Sequence, residues 1–226
     1  MTTARSDACT TASAAAGPAL PVSRLYVSEP APPGLATPQA RYQGHCRAQQ
    51  SWQIDGVRFR FLSPDPALAD DPLEKRNDRS CVLRIDSAHG SALLLADIER
   101  RAEARLIAAA ERNAAESKTL DATRDDSTTG HATTDDLKTD VLLVPHHGSA
   151  TSSSAEFIAA TRPQLALVSA GYRNRFRHPR AEVVERWRQA GAQVLRTDEE
   201  GALQVQFGPG GLHWQRQRSV QRRYWH

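Results

Sequence analysis

No stretch of the sequence approaches the roughly 18 consecutive apolar residues that a membrane-spanning helix requires. The first twenty residues, MTTARSDACTTASAAAGPAL, also lack the continuous apolar core of a secretory signal. The chain as given is therefore expected to be soluble. Aromatic residues are scarce, at 6% of 226 residues, but 39% of the residues are hydrophobic, which is enough for one globular domain with polar segments attached.

Cysteine is scarce as well, with three in the chain. The positions of Cys9, Cys46 and Cys81 match neither a CxxC redox motif nor a zinc-binding spacing, so neither function is predicted. Cys46 precedes one candidate strand, and Cys81 lies within another. Two interpretations of this pair stay open: a disulfide in an oxidising compartment, or two small buried hydrophobic side chains.

Hydrophobic patterning divides the chain into a folded domain and polar segments. Residues 1–22 form a Ser/Thr/Ala-rich leader that is predicted to be disordered. Residues 23–216 form the predicted domain. Within it, residues 116–139 are polar and almost without aliphatic side chains, which favours a surface insertion. Residues 217–226 form a C-terminal tail that alternates basic and aromatic residues.

Before the insertion the pattern is rich in strands, and after it strands alternate with helices, which predicts a layered α/β fold. The predicted strands are RLYVS, VRFRFL, CVLRID, SALLLA, DVLLV, LALVSA and AQVLRT. The predicted helices are ERRAEARLIAAAERNAA, SSAEFIAATR and AEVVERWRQAG, with Gly191 as the C-cap glycine of the last. The segments ALQVQF and LHWQRQ are predicted to form a closing hairpin around residues 208–211.

Polar side chains follow three of the predicted strands at the point where each strand ends. Asp97 follows SALLLA, and His178 lies in the loop GYRNRFRHPR after LALVSA. His146 and His147 follow DVLLVP. Carboxylate and imidazole groups at neighbouring strand ends are ligands that Zn²⁺ or Mn²⁺ accepts. Each residue alone also fits an ordinary structural role, such as the helix N-cap for Asp97.

Three segments carry a family resemblance. They are CRAQQSWQIDGVRFRFLSP, NDRSCVLRIDSAHGSALLLADIERRAEARLI and DVLLVPHHGSATSSSAEFIAATRPQLALVSAGYRNRFRHPRAEVVERWRQAGAQVLRTDEEGAL. They resemble the C-terminal metallo-β-lactamase-like domain of the ComEC family, the DNA internalization-related competence proteins. The matches cover roughly residues 23–207 in the order of the family. The resemblance implies an α/β fold that forms the C-terminal half of an αββα sandwich.

The resemblance also implies roles for the strand-end residues. Asp97 stands where this fold places its metal-bridging aspartate, although the usual Thr-Gly-Asp is Leu-Ala-Asp here. The segment VPHHG is similar to a late ligand motif, which implies that His147 binds metal and that His146 is a flanking or substrate-facing group. His178 matches the His-Pro loop of the family, which implies a proton donor or a phosphate contact.

The ligand signature HxHxDH of this fold is absent from the 226 residues. A divalent metal, Zn or Mn, is therefore expected to bind weakly, and the chain is interpreted as the C-terminal part of a longer protein. The resemblance implies metal-assisted hydrolysis of a DNA phosphodiester in the complete protein. It also implies that the membrane channel part of that protein is a partner, and that this domain lies at the periplasmic face of the bacterial inner membrane. The alternatives are a catalytically silent domain that binds DNA or a partner, or a truncated gene fragment.

The loop that contains His178 is rich in arginine. Charge and bidentate hydrogen bonds make such a cluster suitable for DNA phosphates. An arginine-rich loop that is simply solvated is the alternative. The arginines concerned are Arg173, Arg175, Arg177 and Arg180.

Overall fold

The fold is known from a computed structural model, which describes most of the predicted domain. The described residues are 25–28, 42–69, 71, 73–121 and 136–220. The predicted leader, residues 1–22, lies outside these ranges, and so do residues 122–135 of the predicted insertion and residues 221–226 of the tail.

Seven strands form a central mixed sheet. They are β3 (Ser51–Ile54), β4 (Val57–Ser63), β5 (Val82–Ser87), β6 (Gly90–Leu94), β7 (Val141–Leu143), β8 (Leu165–Val168) and β9 (Gln193–Arg196). They are hydrogen-bonded in sequence order. Pairs from β3 to β6 are antiparallel, and pairs from β6 to β9 are parallel. The predicted α/β class is confirmed.

Helices connect the parallel strands, as such connections require. They are α1 (Arg100–Asp121), α2 (Ala155–Thr161) and α3 (Ala181–Gln189). Two single helical turns, α4 (Thr197–Glu200) and α5 (Gln217–Val220), come after the last parallel strand. Gly191 lies just past α3 with φ +91°, as predicted for its C-cap. Across the described ranges, no helix combines the length and the hydropathy needed to cross a membrane.

The parallel strands are buried on both faces, which explains their nearly continuous apolar sequences. On one face, Leu93 of β6 and Leu142 of β7 belong to a core that includes Phe157 of α2 and Trp187 of α3. On the other face, a smaller cluster around Leu165 lies under the hairpin of two further strands, β10 (Leu203–Gly208) and β11 (Gly211–Arg216). The predicted closing hairpin is therefore confirmed, and it forms a second layer over the sheet.

The antiparallel half contains a hairpin that the sequence analysis did not predict. Strands β3 and β4 are joined by Asp55 and Gly56, which have φ of +50° and +79°. Left-handed residues at both central positions give the turn a twist that matches its strands, and Asp-Gly is favoured there. The signal for β3 was therefore present in the sequence.

A disulfide joins a small strand pair to the central sheet. Strands β1 (Leu25–Val27) and β2 (Tyr42–His45) are parallel neighbours, and Cys46 follows β2 directly. Cys46 is bonded to Cys81, which precedes β5, with the two Cα atoms 5.8 Å apart. Of the two interpretations left open, the disulfide is confirmed.

Both ends of the predicted surface insertion, residues 116–139, belong to the folded domain. Helix α1 continues to Asp121, because polar residues such as Glu, Ser and Lys are compatible with a helix. After the undescribed residues, Asp136 forms an ion pair with Arg60 of β4, with Oδ1 and Nη2 3.0 Å apart. Leu137 and Thr139 are buried. The chain thus packs against the domain again several residues before β7 begins.

We predict that removal of the disulfide by Cys46→Ser with Cys81→Ser lowers the free energy of unfolding by about 3–4 kcal/mol, because the unfolded chain gains entropy. Urea titration of both proteins, followed by circular dichroism, measures the difference. Cys9→Ser is the matched control and should leave the midpoint unchanged. Equal stability of the double variant and the wild type would contradict the prediction.

Candidate functional site

Three loops meet at the edge of the sheet where the parallel strands end. They follow β6, β7 and β8, and they carry Asp97, the His146–His147 pair and His178 respectively. In open α/β sheets, ligands bind at the carboxyl ends of the strands. The sheet topology therefore brings together all the predicted polar residues.

The backbone at this edge is held in an uncommon conformation. Ala96, His146 and His147 have φ of +48°, +48° and +54°, in the left-handed region. Such residues persist only where their surroundings hold them, and they often occur at functional sites. Here the His146 amide donates to the Ala96 carbonyl at 2.9 Å, and the Ser149 amide donates to the His146 carbonyl at 2.9 Å. The two tight turns are thus tied to each other.

Gly148 allows the β7 and β8 loops to touch. Its φ is +78°, and a Cβ atom at this position would lie 2.5 Å from Cβ of Pro179. The Arg180 amide donates to the Gly148 carbonyl at 2.9 Å. Any larger residue at Gly148 would push the His178 loop away from the two histidines. The glycine of VPHHG is therefore required for the approach of the two loops.

Asp97 and His147 form a polar pair between the loops that follow β6 and β7. Oδ1 of Asp97 and Nε2 of His147 are 3.4 Å apart, so the two side chains lie close together. Nδ1 of His147 lies 2.8 Å from the Ser169 carbonyl oxygen. Because a carbonyl oxygen only accepts, Nδ1 carries the proton of this hydrogen bond. In the neutral ring, Nε2 then presents a lone pair to the carboxylate.

Two acceptors that face each other at this distance need a positive species between them. Either a proton on Nε2 or a bound cation meets that need. The arrangement also matches histidines that bind metal, in which the second ring nitrogen donates to a carbonyl or carboxylate. Asp97 and His147 therefore fit a divalent metal in donor type and in orientation.

His178 lies beside this pair with one ring nitrogen unused. Its Nδ1 is buried, and no group within the described residues makes a hydrogen bond to it. The ring centroids of His178 and His146 are 5.9 Å apart in an edge-to-face arrangement. Burial lowers the pKa of His178, and the nearby charges of His146 and Arg180 lower it further. The neutral ring is thus favoured, with a buried nitrogen that lacks a partner.

His146 is oriented by residues that the sequence analysis did not single out. Its Nδ1 lies 3.3 Å from Oγ1 of Thr151 and 3.6 Å from Oε1 of Glu99. Thr151 in turn donates to Glu99 at 3.2 Å, and Lys75 donates to the other carboxylate oxygen at 3.0 Å. Burial opposes ionisation of Glu99, but the hydrogen bond and charge of Lys75 outweigh it and lower the pKa. His146 is therefore fixed on the side of Glu99.

The hydroxyl residues that follow the two histidines connect the histidine turn to the neighbouring helices. The carboxylate of Glu103, buried in α1, accepts the amides of Ser153 and Ser154 at 2.5 and 2.9 Å. Burial raises the pKa of Glu103 against the effect of these hydrogen bonds. Nε1 of Trp187 donates to Oγ of Ser153 at 3.1 Å, and Oγ of Ser154 caps α2. Helices α1, α2 and α3 are joined through this run.

The predicted arginines lie on the loop after β8. Arg173, Arg175 and Arg177 are exposed, and Arg180 is exposed at the end of the loop where α3 begins. Arg180 contributes to the lowered pKa of His178, so its charge acts within the site. The other three lie on the same loop as His178.

No protein-family model matches the chain. It is similar to Competence protein ComA of Neisseria gonorrhoeae, with 37% identity over 186 residues, which is 81% of this chain and 23% of that protein. ComE operon protein 3 of Bacillus subtilis is 32% identical over 69% of the chain and 16% of its own length. Recombination protein 2 of Haemophilus influenzae is 30% identical over 79% of the chain and 19% of its own length.

These homologues are ComEC-family proteins, and the similarity extends over most of the chain. The chain spans only about a sixth to a quarter of the length of each of them.

We predict that Gly148→Ala lowers the free energy of unfolding by about 2–4 kcal/mol, because left-handed strain adds to a clash with Pro179. Gly191→Ala is the matched control, because Gly191 is also left-handed but has open space around it. It should cost only about 1–2 kcal/mol. Chemical denaturation compares the two variants. Equal losses would contradict the proposed contact between the β7 and β8 loops.

Proposed function

We propose that this chain is a metallo-β-lactamase-like domain of a ComEC-type DNA uptake protein, and that it takes part in metal-dependent hydrolysis of DNA phosphodiesters. The observation that carries the proposal is the pair of facing acceptors, Asp97 and His147, 3.4 Å apart at the ends of the parallel strands. The homology to competence proteins supports DNA as the substrate.

Asp97 and His147 are the residues that would hold the metal, Zn²⁺ or Mn²⁺. The ion would activate water and polarise the phosphate. His147 is already oriented for this role by its hydrogen bond to Ser169. An ion with two protein ligands keeps most of its water, so binding to this chain is expected to be weak.

His178 and His146 are the proposed catalytic residues. Nδ1 of His178, which has no partner among the described residues, would donate a hydrogen bond to a phosphate oxygen that enters the site. His146 lies beside it, and Thr151 and Glu99 hold its ring in one orientation. A pair of positioned imidazoles suits proton transfer to the leaving oxygen. The exposed arginines of the β8 loop would attract the DNA backbone.

The proposed location is the periplasmic face of the bacterial inner membrane, next to the membrane channel part of a longer protein. The Cys46–Cys81 disulfide supports an oxidising compartment. DNA that enters from outside the cell would meet the domain there.

A catalytically silent DNA-binding domain is the second candidate. The observation in its favour is that the arginines of the β8 loop are exposed and that the loop has hydrogen bonds of its own, from the His178 amide to Asn174 and from Asn174 to the Gly171 carbonyl. Such a domain would guide DNA towards another part of the uptake protein. The two candidates differ in whether the Asp97–His147 pair is needed to bind metal and cleave DNA.

We predict that the purified chain binds Mn²⁺ or Zn²⁺ weakly, with any DNA cleavage slow, and that Asp97→Asn and His147→Ala abolish both. Each variant removes one donor of the pair, so the remaining donor cannot hold the ion. Isothermal titration with each metal and a gel assay with single-stranded and double-stranded oligonucleotides measure the two properties.

His89→Ala is the matched control, because His89 is exposed in the turn between β5 and β6, at the opposite end of β6 from Asp97. It should bind metal like the wild type. Metal binding that survives Asp97→Asn and His147→Ala would refute the proposed ligands. DNA binding without any metal binding would favour the silent domain.

A further inference from the structure

Two aromatic side chains on the β8 loop have large exposed surfaces. Tyr172 is 69% exposed and Phe176 is 50% exposed. Each ring has an arginine next to it: Cζ of Arg173 lies 5.2 Å from the Tyr172 centroid, and Cζ of Arg175 lies 4.7 Å from the Phe176 centroid. Exposed rings paired with cations have no evident role in the folding of the domain.

The loop that carries these rings is held by its own hydrogen bonds. Asn174 accepts from the His178 amide at 3.0 Å and donates to the Gly171 carbonyl at 3.0 Å. The Arg177 amide donates to the Asn174 carbonyl at 3.1 Å. The rings are therefore presented on an organised loop, which reduces the entropy lost when a ligand binds.

One of the two rings, Phe176, lies next to the candidate site. Phe176 is stacked near His178, with centroids 5.9 Å apart and planes 15° apart. His178 in turn packs edge-to-face on His146. Three rings in contact, Phe176, His178 and His146, thus lead from the exposed loop to the place where the phosphate would bind.

We propose that Tyr172 and Phe176 form a stacking platform for the unpaired bases of single-stranded DNA, while Arg173 and Arg175 contact the neighbouring phosphates. This inference rests on the proposed function, in which DNA is the ligand, and it adds the strand state of the substrate. A duplex hides the faces of its bases, whereas an unpaired base offers a face to an aromatic ring. Alternating aromatic and basic residues serve both parts of a single strand.

The arginines next to the rings do not block such binding. A base stacked on an aromatic ring is stabilised roughly twice as much as an exposed cation–π pair. A base can therefore displace the guanidinium from the ring. The displaced arginine then lies beside the strand, where a phosphate offers it a bidentate hydrogen bond.

The experiment measures binding without added metal, in the presence of a chelator, so that cleavage plays no part. Fluorescence anisotropy compares a ten-nucleotide thymidine strand, an abasic strand with the same number of phosphates, and a duplex. The wild type should bind the thymidine strand roughly 25- to 100-fold more tightly than the abasic strand at the same salt concentration, because stacking on two rings adds to the phosphate contacts.

Phe176→Ala and Tyr172→Ala should each weaken thymidine binding by roughly 5- to 10-fold and leave abasic binding unchanged. Phe176→Trp should keep the preference. Trp214→Ala is the matched control, because Trp214 is an exposed ring on the separate β10–β11 hairpin. Its affinities should equal those of the wild type.

Equal affinities for thymidine and abasic strands, or for single strand and duplex, would overturn the platform. Binding of the loop to anionic phospholipid vesicles in place of DNA would overturn it as well. If the chain prefers the thymidine strand over the abasic strand but Asp97→Asn still binds metal like the wild type, only the hydrolase proposal is contradicted. The two proposals can therefore fail separately.

Discussion

The left-handed turn at His146, His147 and Gly148 is the constraint on which the site depends. A non-glycine residue in this region costs about 1–3 kcal/mol, and two occur in succession here. The cost is offset by hydrogen bonds to the β6 loop, by the close packing of Gly148 on Pro179, and by the buried carboxylate of Glu103 below. A regular continuation of β7 would place the two side chains on opposite faces of the sheet. The turn instead gives each imidazole its own partner at the strand end.

This division of partners explains why two adjacent histidines differ in role. His147 is oriented by the Ser169 carbonyl and faces Asp97. His146 contacts Thr151 and Glu99 and packs against His178. In the proposed function, His147 would be a metal ligand and His146 would lie next to the reacting phosphate. The run of hydroxyl residues after them connects the turn to three helices.

The sequence was sufficient to predict features that depend on local pattern. Alternating strands and helices predicted the α/β class, and the strand ends predicted that Asp97 and His147 would lie close together, because parallel strands end at one edge. Contacts that depend on the path of a loop were not predictable. Lys75, which binds Glu99, lies in a loop segment whose sequence shows no helix or strand periodicity. Glu103 could not be distinguished by sequence from a solvent-exposed helix residue, although it binds the Ser153 amide. The resemblance of VPHHG to a ligand motif assigned His147, but nothing in the sequence showed how its ring is oriented.

We propose that His147 and Asp97 present two acceptors to a shared cation. Nitrogen NMR of the ¹⁵N-labelled histidine rings tests this proposal, with the His147 resonances assigned from their loss in His147→Gln. We predict that the neutral ring of His147 carries its proton on Nδ1, and that Zn²⁺ shifts the Nε2 resonance of His147 in the wild type but not in Asp97→Asn. A neutral ring protonated on Nε2, or an Nε2 resonance that Zn²⁺ does not move, would contradict the proposed metal site.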